Sequence, residues 1–217
     1  GGYYIADTGN HVIRRVFVNG TIITFAGTGT VPGFAGDGAR ATAALLNGCT
    51  RVGADGAGGL LIADTGNHVI RRVFANGTIT TVAGRGVASG FTGDGAAAAA
   101  ALLNAPSGVE RDGSGGYFIA DTGNHVIRRV LANGIIITFA GTGMVPGFAG
   151  DGASATAARL NGSMSVASDG AGGLLIADTG NHVIRRVFAN GTITTVAGRG
   201  GTAAFTGDGG AATSASL

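Results

Sequence analysis

The 217 residues carry 12% charged side chains, 44 glycines and no lysine, with a formal charge of +2. Low charge with abundant Gly suits a turn-rich β protein, and collagen is excluded because the glycines keep no three-residue step and only three prolines occur. Eight of the fourteen arginines are the pairs 14/15, 71/72, 128/129 and 185/186, and eight of the twelve acids recur with them. These acids are Asp7, Asp64, Asp121 and Asp178, then Asp37, Asp94, Asp151 and Asp208. The two sets cancel, no basic block is left, and the electrostatic footprint of a nucleic-acid binder is missing despite a pI near 9.2.

Cys49 is the one cysteine, so no disulfide forms within the chain. No apolar run reaches membrane-spanning length, and no signal peptide or initiator Met opens the sequence. The expectation is a processed chain or a segment of a longer one.

Internal repetition sets the architecture. Ile-Ala-Asp-Thr-Gly-Asn-His-Val-Ile-Arg-Arg-Val stands unchanged at 5–16, 62–73, 119–130 and 176–187, a step of 57 residues. Residues 1–103 and 115–217 align at an offset of 114 with 83 of 103 positions identical, so the units form an A-B-A-B duplication. The units run 1–46, 47–103, 104–160 and 161–217, one array over the whole chain.

In chain order, each full unit opens on a weak strand: Thr50–Asp55, Ser107–Asp112 and Met164–Asp169. Gly58 to Asp64 is a short apolar run ending in the turn cluster Asp64-Thr65-Gly66-Asn67. His68 to Phe74 makes the next strand. It has apolar and polar residues on both faces, which predicts cover on both sides. Asn76-Gly77 predicts a type I′ hairpin, and the β-branched run Thr78–Val82 a further strand. A Gly-Phe-x-Gly-Asp-Gly excursion follows, then an Ala-rich stretch. Ala96–Leu103 predicts about two helical turns, with Asp37 or Asp94 upstream favouring the helix N-terminus. The pattern is all-β, four antiparallel strands per unit, as in a β-propeller blade.

Leu-Asn-x-Pro-x-Gly-Val (103–109), the invariant twelve-residue segment and Asn-Gly-Thr-Ile-x-Thr-x-Ala-Gly together resemble NHL repeats of the long, 57-residue subtype. The resemblance covers the chain four times over and implies a β-propeller with binding or scaffold roles more often than catalysis. NHL domains are mostly six-bladed, so four units leave three arrangements open: part of a larger propeller or array, a four-bladed ring, or strands supplied by partner chains. Only three innermost strands are expected, because residues matching 104–114 are missing before Gly1. A lyase branch related to these propellers uses a zinc site and internal disulfides; one Cys and strictly periodic histidines argue against it.

The recurring chemistry-bearing residues read as blade construction. His11, His68, His125 and His182 fall on separate blades, too far apart to share a metal ion. Asp7, Asp64, Asp121 and Asp178 read as turn formers bonding their own backbone, with Arg14, Arg71, Arg128 and Arg185 as carboxylate partners. Each Gly-Asp-Gly loop offers one carboxylate, short of a calcium site. No nucleophile elbow, Walker motif or zinc pattern occurs, so no catalytic, metal or cofactor residue is assigned. Asn19, Asn76, Asn161 and Asn190 match the N-glycosylation acceptor pattern, although Asn133-Gly134-Ile135 keeps the turn without it. Arg40, Arg51, Arg85, Glu110, Arg111, Arg159 and Arg199 break the symmetry; Arg51, Glu110 and Arg111 are the candidate partner contacts. The functional expectation is a non-enzymatic scaffold, extracellular or at the cell surface. It contacts protein, by self-association or neighbouring repeats, or glycan, but neither nucleic acid nor the membrane interior.

Overall fold

The computed structural model describes residues 2–201 and 203–217 and is all-β, built of four antiparallel sheets. The first sheet has three strands, β1 (Tyr3–Asp7), β2 (Val12–Val16) and β3 (Ile22–Ala26). The second holds β4 (Arg51–Ala54), β5 (Leu60–Asp64), β6 (Val69–Val73) and β7 (Ile79–Ala83). The third holds β8 (Pro106–Arg111), β9 (Tyr117–Asp121), β10 (Val126–Val130) and β11 (Ile136–Ala140). The fourth holds β12 (Ser165–Ser168), β13 (Leu174–Asp178), β14 (Val183–Val187) and β15 (Ile193–Ala197). Strands neighbouring in sequence pair in every sheet, so each unit is a meander, and the expected shortfall of one inner strand falls in the first sheet. These are β-propeller blades.

The sheets pack face to face, which explains the two-sided patterning of the second strand. Val69, Ile70, Arg71 and Val73 are all fully buried, and only Arg72 of β6 reaches solvent. Three apolar clusters lie between successive sheets, each drawing residues from two units. Ile62, Val73 and Ile79 of one blade meet Ile13, Ala26 and Leu46 of the blade before it. The inner strands β4, β8 and β12 approach closely, and small residues permit it. A Cβ on Gly53 would stand 2.9 Å from the Val109 carbonyl oxygen, so side chains there would force the blades apart.

Three local expectations are corrected. The hairpins are not type I′: Asn76 has negative φ, and only Gly77 lies in the left-handed region at +82°. The Gly77 N–H donates to the Phe74 carbonyl at 2.8 Å and the Phe74 N–H to the Thr78 carbonyl at 2.8 Å, a three-residue type I turn closed by a glycine bulge. The Thr78 N–H bonds Asn76 Oδ1 at 3.0 Å, which holds Asn in that turn.

The Ala-rich stretch makes one 3₁₀ turn, Ala98–Ala100, instead of a two-turn helix. Its backbone is committed elsewhere: the Ala98 N–H donates to Gly134 and Gly84 donates to the Ala98 carbonyl, each at 2.9 Å. The Ile136 N–H donates to the Ala96 carbonyl at 3.0 Å. Helix formation would break these bonds to the neighbouring strands, and tertiary pairing outweighs the intrinsic preference of Ala. Asp37 and Asp94 therefore cap no helix; they pair with arginines of the following blade.

Candidate interaction site: the joint between blades

Each invariant segment becomes a strand, one 3₁₀ turn and a strand, and it places five side chains between adjoining blades. Thr65–Asn67 forms the turn, and His68 follows at φ +59° in the left-handed region. A non-glycine residue held there costs about 1–2 kcal/mol, so the position is over-determined by what His68 binds. Its Nδ1 accepts the Ala105 N–H of the following unit at 3.0 Å. His11 and His125 do the same for Gly48 and Gly162, at 3.0 and 2.9 Å. His182 takes the same left-handed geometry; its counterpart amide would lie beyond residue 217. Burial lowers the His68 pKa, and the accepting Nδ1 is one more reason for the neutral ring.

The neighbouring side chains fasten both adjacent units. Thr65 Oγ1 donates forward to the Pro106 carbonyl at 2.8 Å, while Asn67 Nδ2 donates back to the Gly33 carbonyl at 2.7 Å. Asp64, fully buried, bonds the Asn47 N–H at 2.8 Å and Asn67 Nδ2 at 2.8 Å. The expectation that this carboxylate bonds its own turn backbone is corrected, since no side-chain cap bond forms. The seventeen-residue reach to Asn47 ties the turn to the segment entering its blade. The expected arginine is present, with Arg71 Nη1 3.6 Å from Asp64.

Arg71, Arg128 and Arg185 are the largest fully buried side chains. Each reaches into the preceding unit's excursion. Arg71 Nη2 bonds Asp37 at 2.7 Å and the Ala35 carbonyl at 3.2 Å, with its guanidinium 5.2 Å from the Phe34 ring centroid. Arg128 repeats this with Asp94 at 2.6 Å, Thr92 at 3.3 Å and Phe91 at 5.1 Å. Arg185 repeats it with Asp151, Ala149 and Phe148. A buried guanidinium needs such pairing, because an unpaired charge there costs several kcal/mol. The Nε of each, and Thr81, Thr138 and Thr195 Oγ1 on the paired strand, find no partner among the described residues.

Burial raises the buried carboxylates against these bonds. Asp121 is pushed up to about 6 by burial, opposed by the Asn104 N–H, Asn124 and Arg128; Asp64 and Asp178 move in the same direction. Burial also holds the Cys49 thiol well above its ordinary range, beside Asp64. Ser163 takes the equivalent place in the fourth unit and donates to Asp178 at 3.2 Å.

A second ring of acids escaped the sequence reading. Asp55, Asp112 and Asp169 also recur every 57 residues, and each pairs with the second arginine of its blade. Arg72 Nε bonds Asp55 at 2.8 Å, while the other carboxylate oxygen accepts the N–H of Ala57 and Gly59. Burial pushes Asp55 up, but these donors outweigh it and its pKa falls; Asp112 behaves alike with Arg129, Ser114 and Gly116. The shared period was the available signal.

The symmetry-breaking candidates do not converge. Arg51 is exposed at the start of β4, whereas Glu110 and Arg111 are half-buried at the end of β8. The Arg111 guanidinium covers Gly56, where a Cβ would meet it. It narrows a recess between blades two and three to about 90 Å³. One blade on, Ser168 stands in that place and the recess is about 140 Å³, walled by Phe118, Phe139 and Phe188 beside Arg129 and Asp112. Both fall below the usual size of a small-molecule pocket, roughly 300–1,000 Å³. Among the described residues no three His, Cys, Asp or Glu gather as a metal cluster. Of the sequons, Asn19, Asn76 and Asn190 are exposed on hairpins. Asn161 is half-buried and spends its amide on the Gly180 carbonyl at 3.1 Å.

Among solved structures, the chain is similar to an auxiliary nutrient binding protein from Bacteroides ovatus. The TM-score is 0.63 at 18% identity, over 90% of this chain and 46% of that one. Streptogramin B lyase matches at TM-score 0.58 and 13% identity, over 90% and 50%. Virginiamycin B lyase from Staphylococcus aureus matches at 0.55 and 14%, over 90% and 51%. The chain spans about half the length of these structures, and at such identities they show the fold alone: a β-propeller. No family model and no curated protein matches the chain.

Proposed function

We propose that the chain is a non-catalytic scaffold, one NHL-type array over residues 1–217 whose recurring residues join blade to blade. One observation carries the reading: Asp, Thr, Asn, His and Arg of the invariant segment each bond across or beside a blade joint. Catalytic constellations need groups aimed at a free volume; here the same groups are spent on construction. Assembly with further copies or repeats, placement outside the cell or at its surface, and glycans on Asn19, Asn76 and Asn190 belong to this proposal. Arg51, Glu110 and Arg111 stay its candidate partner contacts. The purified chain, incubated with virginiamycin B and quinupristin after metal analysis, shows no turnover and no stoichiometric metal. Turnover abolished by changing one histidine would overturn the scaffold.

A second reading comes from the nutrient-binding neighbours: a saccharide- or peptide-binding propeller using the aromatic-walled recess at Phe118, Phe139 and Phe188. Binding of an oligosaccharide, lost on Phe139→Ala at unchanged melting temperature, would favour it.

A further inference from the structure

The recess between blades two and three and the one between blades three and four share a design and differ in what fills them. Every residue lining the first, except Tyr117, recurs 57 positions on in the lining of the second. Four exchanges separate the two. Arg111 gives way to Ser168, Leu61 to Phe118, Val82 to Phe139 and Tyr117 to Leu174. At the first recess the chain supplies its own occupant, since the Arg111 guanidinium lies over the backbone of Gly56. At the second, Ser168 is exposed and too short to take that place, and the recess widens from about 90 to about 140 Å³.

The walls of the wider recess suit a guanidinium better than those of the narrower one. Phe188 stands where blade three has Leu131, so three rings face the space that Leu61 and Val82 wall one joint earlier. The chain already lays arginines on two of them, with Arg129 5.4 Å from the Phe118 centroid and Arg186 4.5 Å from that of Phe188. Phe139, tilted at 4.7 Å against Phe118, is half-buried and carries no cation among the described residues. An aromatic face attracts a cation within about 6 Å of its centroid. Arg129 is neutralised by Asp112 at 2.7 Å, so the lining has no net charge to repel one. An acceptor is free as well. The Tyr117 hydroxyl donates to the Val82 carbonyl at 3.1 Å, whereas Leu174 offers the corresponding Phe139 carbonyl no donor. Phe139 lies in the bulge of β11, outside the ladder register.

We propose that this recess binds one arginine side chain presented by a peptide or protein partner, its guanidinium stacked on Phe139 in the place that Arg111 takes one joint earlier. The volume suits a single side-chain head, well below the roughly 300–1,000 Å³ of a small-molecule pocket. The inference rests on the binding reading of this recess and chooses peptide over saccharide as its ligand. Among the described residues this joint alone combines three rings with the acid. Tyr4, Phe25 and Phe74 hold the ring positions at the first joint, but the counterpart of Asp112 would precede residue 1.

The test is titration of the 217-residue chain with acetyl-Gly-Arg-Gly-amide, followed by amide NMR. The same peptide with citrulline, which keeps the shape and loses the charge, is the control. Saturable shifts at Phe139, Gly172 and Gly173 are expected, with the citrulline peptide binding about tenfold or more weakly. Ser168→Arg fills the recess from within and abolishes binding at an unchanged melting temperature, because position 168 is exposed. Phe139→Ala weakens binding about tenfold. No shift with millimolar peptide, equal binding of the citrulline peptide, or binding indifferent to Ser168→Arg overturns the proposal. An oligosaccharide that shifts the same amides while the arginine peptide does not would sink this inference and leave the binding reading standing. Silence with both ligands sinks the two together.

Discussion

Replacing Arg128 by methionine keeps the aliphatic stem and removes the guanidinium from the joint between blades two and three. In the wild type this group faces Asp94 at 2.6 Å and Asp121 at 3.6 Å, and Asp94 is half-exposed while Asp121 is fully buried. Asp94 returns to water at little cost. Asp121 cannot, and without the cation its pKa rises above the present value of about 6. At pH 8 the variant holds an ionised, uncompensated carboxylate, and losing one partner of a buried pair costs about 3–5 kcal/mol. At pH 5 Asp121 is neutral in both proteins, so what remains is the lost bonds to Asp94 and Thr92, about 1–2 kcal/mol. Urea denaturation at the two pH values therefore gives a destabilisation that shrinks by roughly 2 kcal/mol or more on acidification, each unit of pKa being worth about 1.4 kcal/mol. Asp94→Asn serves as control, with a loss of about 1–2 kcal/mol and little pH dependence. A loss for Arg128→Met under 1 kcal/mol, or one equal at both pH values, would refute the reasoning.

The remaining predictions concern the same joints. Carboxyl NMR of the wild type places the Asp121 midpoint near 6; a midpoint below 4 would remove the burial argument. Because this folded-state pKa lies above the unfolded value of 3.8, the stability it contributes is full below 3.8 and is lost as pH rises through about 6. Asp55 and Asp112 have the opposite sign, contributing above 3.8 and failing as pH drops, so their alanine variants lose less on acidification than at neutrality. His68→Ala orphans the Ala105 N–H and costs about 1–3 kcal/mol, while His68→Gly recovers part of it because Gly accepts φ +59°. Equal losses for both in thermal melts would show that backbone strain plays no part. Asn124→Ala removes bonds to Gly90 and Asp121 and costs a similar amount, read from the same melts.

The blades are legible because short apolar and β-branched runs and the turn cluster Asp-Thr-Gly-Asn recur every 57 residues. The cover on both faces of β6 was legible too, since Arg71 lies between Val69 and Val73 on one face and Ile70 stands on the other. What chain-local reasoning missed is what other units supply. Ala96–Leu103 reads as helix until its backbone groups are seen bonded to Gly134 and Ile136, more than thirty residues on. Asp37 reads as a helix cap until Arg71 of the next blade reaches it. Asn76-Gly77 reads as type I′ because that pair favours two left-handed residues, yet Ala75 joins the loop and leaves only Gly77 there. Asp55, Asp112 and Asp169 share the 57-residue period in the sequence, but their pairing with the second arginine of each blade exists only in the fold. The joint itself, the candidate site, was visible only as a list of conserved-looking types within one chain; its two-sided reach is a property of packing.

Amide hydrogen exchange of the intact chain tests the central claim most directly. Asn104, Ala105, Asn161 and Gly162 lie outside every strand, yet their N–H groups are held by Asp121, His68, Asp178 and His125. If the invariant residues are blade clamps, these loop amides exchange as slowly as the core amides of β9 and β10. Exchange as fast as at the exposed hairpin tip of Asn133 would contradict it.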